Sequence, residues 1–108
     1  MTHRIYVSDF DNARRIAFVR SRSQAWFREE EWLLTWEEFQ TFWNTRTRWN
    51  RRGRDSNGLT MTRLDWSGPW SRDNCCIITR KLHLAASAKR KVGRPYEQCF
   101  EGAILYGQ

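Results

Sequence analysis

The clearest pattern of apolar and polar positions lies between residues 59 and 84. Residues 59–64 alternate between two faces, as a half-buried strand does, and a turn is predicted at Gly68-Pro69. The β-favouring run 75–78, Cys-Cys-Ile-Ile, predicts a second strand. A helix is predicted to begin at Thr79 or Arg80. The predicted order is therefore strand, loop, strand, helix.

Helical patterns precede this block. The first is predicted to follow an N-cap at Ser8-Asp9. The second is predicted over residues 36–50, because Thr35 and Glu38 have the spacing of a capping box. Its aromatic face, Trp36, Phe39 and Trp43, is predicted to be core, with base stacking as the alternative. The acidic run 29–31 is predicted to be a solvated stretch and not a metal site, because three consecutive carboxylates on a helix point in different directions.

Charge is distributed unevenly along the chain, which has a net charge of +7. Residues 1–45 carry six Arg against seven acids, a net charge of −1. Residues 46–94 carry thirteen Lys and Arg against three Asp, a net charge of +10, and residues 95–108 carry −2. Because a basic segment gains affinity for a polyanion by releasing its counterions, nucleic acid is the predicted partner. The alternative is a solvated basic surface.

Composition excludes several other classes. A length of 108 residues predicts one domain with a modest core. No apolar run approaches the ~18 residues of a membrane span, and the first ten residues do not resemble a signal peptide, so we expect a cytoplasmic protein and no membrane partner. The three cysteines, Cys75, Cys76 and Cys99, fit neither a disulfide framework nor a zinc site and are predicted to be reduced.

The block GPWSRDNCCIITRKLH carries a family resemblance. It is similar to the cores of small HNH-type proteins of tailed bacteriophages, which read approximately G-P-W-S/T-x-D-N-V-x-I-I/V-T-R-x-x-H. Asn74 and His83 stand nine residues apart, as the last two letters of an HNH motif do. The resemblance implies an α+β fold in which a ββα-metal hairpin and helix pack against Trp-rich helices. It also implies three regions of a single domain: a helical support (1–50), the HNH-like unit with basic flanks (51–92) and a tail (93–108).

The resemblance further implies DNA cleavage with a divalent cation, Mg²⁺ or Mn²⁺. His83 matches the metal ligand on the helix, and Asn74 matches the residue that orients the loop or the base. The usual Asp-His at the end of the first strand is replaced by Thr62-Arg63. Arg cannot accept a proton at neutral pH, so Arg63 is predicted to hold the scissile phosphate in place of a base. Asp65 is the predicted substitute carboxylate for the metal.

Basic residues around the block are predicted to contact DNA phosphates. They are Arg46, Arg48, Arg51, Arg52, Arg54, Arg72, Arg80, Lys81, Lys89, Arg90, Lys91 and Arg94. Gly93-Arg94-Pro95 is similar to an AT-hook, which lays Arg into a narrow minor groove. The alternative is a helix stop at Gly93.

Three functions follow from this sequence. The first is a metal-dependent HNH-type endonuclease or nickase acting on double-stranded DNA. The second is a catalytically inactive HNH scaffold that binds DNA. The third is a phage protein that inhibits a host DNA-binding protein, which would place it in the host cytoplasm. Thr62-Arg63 favours the second over the first, whereas retention of Asn74 and His83 favours the first.

Overall fold

The computed structural model describes residues 9–53, 55–91 and 102–108, which form an α+β fold. Its elements in chain order are α1 (Asp9–Phe27), α2 (Trp36–Phe42), α3 (Arg46–Asn50), β1 (Leu59–Arg63), β2 (Cys75–Thr79) and α4 (Arg80–Lys91). None of the helices within these ranges is long and apolar enough to span a membrane.

The hairpin and the helix after it confirm the predicted strand–loop–strand–helix order. β1 and β2 pair antiparallel, with Leu59 opposite Thr79 and Arg63 opposite Cys75. α4 starts where β2 ends, and the Thr79 hydroxyl accepts a hydrogen bond from the Leu82 N–H at 3.3 Å. Gly58, before β1, fits closely against the preceding loop, because a Cβ there would lie 2.6 Å from the carbonyl oxygen of Gly53.

The helical support region differs from its prediction in one respect. The capping box of α2 is present: the Glu38 N–H donates to the Thr35 hydroxyl at 3.2 Å, and the Thr35 N–H donates to the Glu38 carboxylate at 3.0 Å. A single helix over 36–50 is wrong, because α2 ends at Phe42 and α3 begins at Arg46. Thr45 starts the second helix by accepting a hydrogen bond from the Arg48 N–H at 3.0 Å.

The core forms where α1, α2 and the hairpin meet. Phe39 is 3% exposed and Trp43 2% exposed, so the prediction that the aromatic face is core is confirmed for these two. The ring of Phe18 on α1 makes an edge-to-face contact with Phe39, at 5.4 Å between centroids. The other buried members of this cluster are Leu34, Phe42, Leu59, Cys75 and Ile77.

The thiols of Cys75 and Cys76 are reduced, as predicted, and both side chains are buried. Burial raises the pKa of the Cys75 thiol to about 12, so it is protonated at neutral pH. Cys99 lies outside the described residues.

The C-terminal segment 102–108 docks against the outer edge of β2. Ile104 and Ile77 exchange two backbone hydrogen bonds of 2.9 Å, and the Tyr106 ring contacts Phe42 edge-to-face. The Arg48 guanidinium donates to the Gln108 carbonyl oxygen at 2.9 Å. The segment therefore docks through a backbone bridge and an aromatic contact.

Candidate nucleic-acid interface

Asn74 stabilises the conformation of the loop between β1 and β2. Its Oδ1 accepts a hydrogen bond from the Asp65 N–H at 2.9 Å. Its Nδ2 donates to the carbonyl oxygens of Asp65 and Pro69, at 2.9 and 2.8 Å. A Cβ on Gly68 would lie 2.9 Å from this Nδ2, so glycine leaves room for the amide. The Asn74 amide therefore links Asp65 and Pro69 of the loop.

Arg63, at the end of β1, is buried and bonded within the protein. One terminal nitrogen donates to the Gly68 carbonyl oxygen at 2.8 Å. The other forms an ion pair with Glu30 at 3.1 Å, and the guanidinium carbon lies 5.2 Å from the centroid of the Trp70 ring. The side chain is thus held between the loop and the segment that joins α1 to α2.

Glu30 supplies the carboxylate of this cluster. Its Oε1 accepts hydrogen bonds from Trp70 Nε1 at 3.0 Å and from Arg28 Nε at 3.2 Å, while its Oε2 faces Arg63. Desolvation raises the pKa of Glu30, but these hydrogen bonds and the two guanidinium charges outweigh it and hold the pKa below its ordinary value.

The prediction that residues 29–31 are a solvated run is therefore wrong for Glu30. The reason is that α1 ends at Phe27, so these acids lie in a loop and not on a helix. Glu29 and Glu31 are exposed, as predicted. Glu29 takes a left-handed backbone conformation, with φ of 60°, at the turn that brings Glu30 to the hairpin loop.

A cavity of about 520 Å³ lies beside this cluster. Arg63 and His83 both line it, so the structure brings together two of the predicted site residues. Trp66 of the loop lies between them in sequence and contacts the His83 ring, at 5.8 Å between centroids. Asp65 and Asn74 are not among the residues that line this cavity.

His83 projects from the first turn of α4 and is half-buried. Burial lowers the pKa of its imidazole, and the nearby charge of Arg80 lowers it further. The ring is therefore neutral at neutral pH, which suits stacking and hydrogen bonding as well as metal ligation.

A divalent cation does not fit the carboxylates at this place. The Asp65 carboxylate accepts from both the backbone N–H and the hydroxyl of Ser67, at 2.9 and 2.6 Å, and these hydrogen bonds lower its pKa. The carboxylate that shares the cavity with His83 is Glu30, and both of its oxygens face Arg or Trp donors. Within the described residues no group of three or more His, Cys, Asp or Glu side chains is arranged to hold a metal ion.

Comparison of the chain with models of protein families, with curated proteins and with solved structures finds no match.

The basic residues predicted to contact DNA divide into three groups. Exposed side chains belong to Arg46, Arg51, Arg52, Arg72 and Lys81, and Arg80 is partly exposed. Arg48 is partly buried and donates to the carbonyl oxygens of Phe42 and Gln108. Lys89, Arg90 and Lys91 lie in the last turn of α4, where the structure describes the backbone but not the side chains. Arg54, and Arg94 with the AT-hook-like segment, lie outside the described residues.

Sequence reasoning missed Glu30, Trp66 and Trp70 as members of the site. Glu30 and Arg63 are 33 positions apart, and no local pattern links them. The composition of the loop between β1 and β2 is a signal that could have found them. Two Trp in a short polar loop need packing or hydrogen-bond partners elsewhere in the chain when they are partly buried.

Proposed function

We propose that this protein binds double-stranded DNA through an HNH-like ββα unit and does not cut it. The observation that carries the proposal is the position of the charge. The net +10 of residues 46–94 falls on the hairpin, its helix and their flanks, and the side chains of Arg46, Arg51 and Lys81 there are exposed. Contacts of this kind give affinity for phosphates without reading the bases.

The HNH-like identity of the unit is supported by its element order and by Asn74. The order is β1, loop, β2 and α4, and the Asn74 amide makes three hydrogen bonds to the loop backbone. An origin in a tailed phage, and with it a location in the cytoplasm of a host cell, is inferred from the sequence resemblance alone.

The arrangement of Arg63 favours binding over cleavage. It stands at the position of the general base, where it cannot accept a proton, and two of its nitrogens are bonded to Glu30 and Gly68. Asp65 is bonded to Ser67 and does not share the cavity with His83. With these residues, the proposed unit is a scaffold that binds DNA but lacks a general base.

Salt dependence tests the proposal. Each phosphate contact contributes about 0.9 to the slope of log K against log salt, so Arg46→Gln with Arg51→Gln should lower the slope by about 2. The matched control is Arg15→Gln with Arg20→Gln, which removes the same charge from exposed positions on α1. Fluorescence anisotropy with a labelled duplex gives the slopes. Absence of binding, or equal slopes for the two pairs, contradicts the proposal.

The second candidate is the endonuclease or nickase that the resemblance implies. It is favoured by one observation, that Arg63 and His83 line the same cavity. A supercoiled plasmid incubated with Mg²⁺ or Mn²⁺ distinguishes the two candidates. Nicking that Asp65→Ala and His83→Ala each abolish, with DNA binding retained, would replace the binding proposal by this one.

A further inference from the structure

The cavity beside Arg63 combines aromatic rings with cations. It is bounded by α1, by β1, by the hairpin loop and by α4. Its volume of about 520 Å³ lies within the ~300–1,000 Å³ range of small-molecule sites. Trp66 and Trp70 of the hairpin loop line it, and Arg28 and Arg52 add positive charge.

The charge balance of the cavity favours an anionic ligand. Arg28, Arg52 and Arg63 line it, whereas Glu30 is the only carboxylate among its described lining residues. Glu30 is already paired with Arg28 and Arg63. The guanidinium carbon of Arg52 lies over the Trp49 ring, 4.1 Å from its centroid, and no carboxylate of the described residues forms an ion pair with it. Its donors are therefore suited to a phosphate.

The rings favour a planar ligand. Trp66 and His83 are in tilted contact, with centroids 5.8 Å apart, and both line the cavity, so together they give it an aromatic wall. The imidazole is half-buried and lines the cavity, so its face can stack on a base and its ring nitrogens can hydrogen-bond to one. Thr60 and Thr62 of β1 and Ser87 of α4 add hydroxyls to the same cavity. Such polar groups read the edge of an extruded base.

We propose that this cavity takes one unpaired nucleotide of a DNA strand, with its base against Trp66 and His83 and its phosphate on Arg52. This inference rests on the proposed DNA binding and deepens it, because it names the DNA structure that the protein prefers. Aromatic platforms beside cationic side chains bind unpaired bases with little dependence on sequence. A paired duplex keeps its bases stacked inside the helix and fills the cavity only after extrusion of one base, which costs energy. Bulges, gaps and strand ends are therefore the preferred targets.

The test compares two duplexes of the same length. One is fully paired, and the other carries a single bulged 2-aminopurine, whose fluorescence falls when it stacks on an aromatic ring. We expect the bulged duplex to bind at least ~5-fold more tightly, with quenching of the probe, since stacking of one base contributes on this scale. Trp66→Ala should remove both the preference and the quenching, and Trp66→Phe should restore most of them.

Controls separate this inference from the general binding. Trp26→Ala removes an indole that is 59% exposed on α1 and does not line the cavity, so it should leave the preference unchanged. Thermal unfolding of each variant establishes that it is folded, and His83→Ala serves as a second cavity variant. Equal affinity for both duplexes overturns the inference while leaving the proposed DNA binding in place. No binding to either duplex contradicts both.

A free nucleotide carries the same base and phosphate groups as an unpaired nucleotide of a strand. A competition experiment distinguishes the two ligands. Deoxyadenosine monophosphate should compete with the bulged duplex only at concentrations far above those at which the duplex binds, because the strand adds phosphate contacts outside the cavity. Displacement by the mononucleotide at or below the concentration of duplex needed for binding would assign the cavity to a free nucleotide and overturn the strand form of the proposal.

Discussion

The ion pair between Arg63 and Glu30 should be among the interactions on which the fold most depends. The Arg63 side chain is 11% exposed and Glu30 is 21% exposed, so Glu30→Gln leaves a largely buried guanidinium without its counter-charge. Removal of one partner from a fully buried pair costs ~3–5 kcal/mol. Because Glu30 is partly solvated and Arg63 keeps the Gly68 carbonyl oxygen, we expect a loss of ~2–3 kcal/mol in the free energy of unfolding.

The pair between Arg72 and Asp73 is the matched control. Its atoms lie 3.6 Å apart, and its side chains are 55% and 85% exposed. Asp73→Asn should therefore cost no more than ~0.5 kcal/mol. Urea titration followed by far-UV circular dichroism at pH 7 measures both variants. Equal losses in Glu30→Gln and Asp73→Asn would refute the argument that burial makes the first pair important.

A double-mutant cycle with Arg63→Met isolates the interaction itself. Since Met fills the apolar part of the site and removes the buried charge, Glu30→Gln should cost less in that background, with a coupling of ~1–2 kcal/mol. The pH dependence of the free energy of unfolding gives a second check. Because the pKa of Glu30 is lowered on folding, its contribution is present above the ordinary value of 4.5 and is lost as the pH falls through the folded-state pKa.

Two further predictions concern the loop and the imidazole. Asn74→Ala removes three loop hydrogen bonds and should lower the free energy of unfolding by ~2–4 kcal/mol, whereas Asp73→Ala next to it should change it by less than ~0.5 kcal/mol in the same urea titration. The pKa of His83 is lowered on folding, so the unfolded chain binds its proton first and stability should fall as the pH drops below 6.5. The fall between pH 7 and 5.5 should be smaller in His83→Gln, and an equal fall would remove His83 as its source.

Local patterns predicted the hairpin, α4 and the capping box, because each depends on residues a few positions apart. Alternation marks β1, and Thr35 with Glu38 marks the start of α2. The break at Thr45 was not predicted, since the aromatic spacing continues through it and a single hydroxyl decides the new helix start. Contacts across the chain were also missed, because Glu30 could be placed only after the ends of α1 and β1 were known.

The same long-range contacts explain why the ββα unit needs the residues around it. A two-stranded hairpin with one helix is at best marginally stable alone. Here β2 gains a second hydrogen-bonded neighbour at Ile104, and the loop gains Glu30 together with a backbone bridge between Trp32 and Trp70. Arg63 and Arg48 donate hydrogen bonds to carbonyl oxygens within the protein and so stabilise the fold. Arg46 and Arg51 are exposed. The arginines therefore divide into those bonded within the protein and those exposed to the proposed DNA interface. A loss of DNA binding in Arg48 or Arg63 variants would be evidence about the fold before it is evidence about that interface.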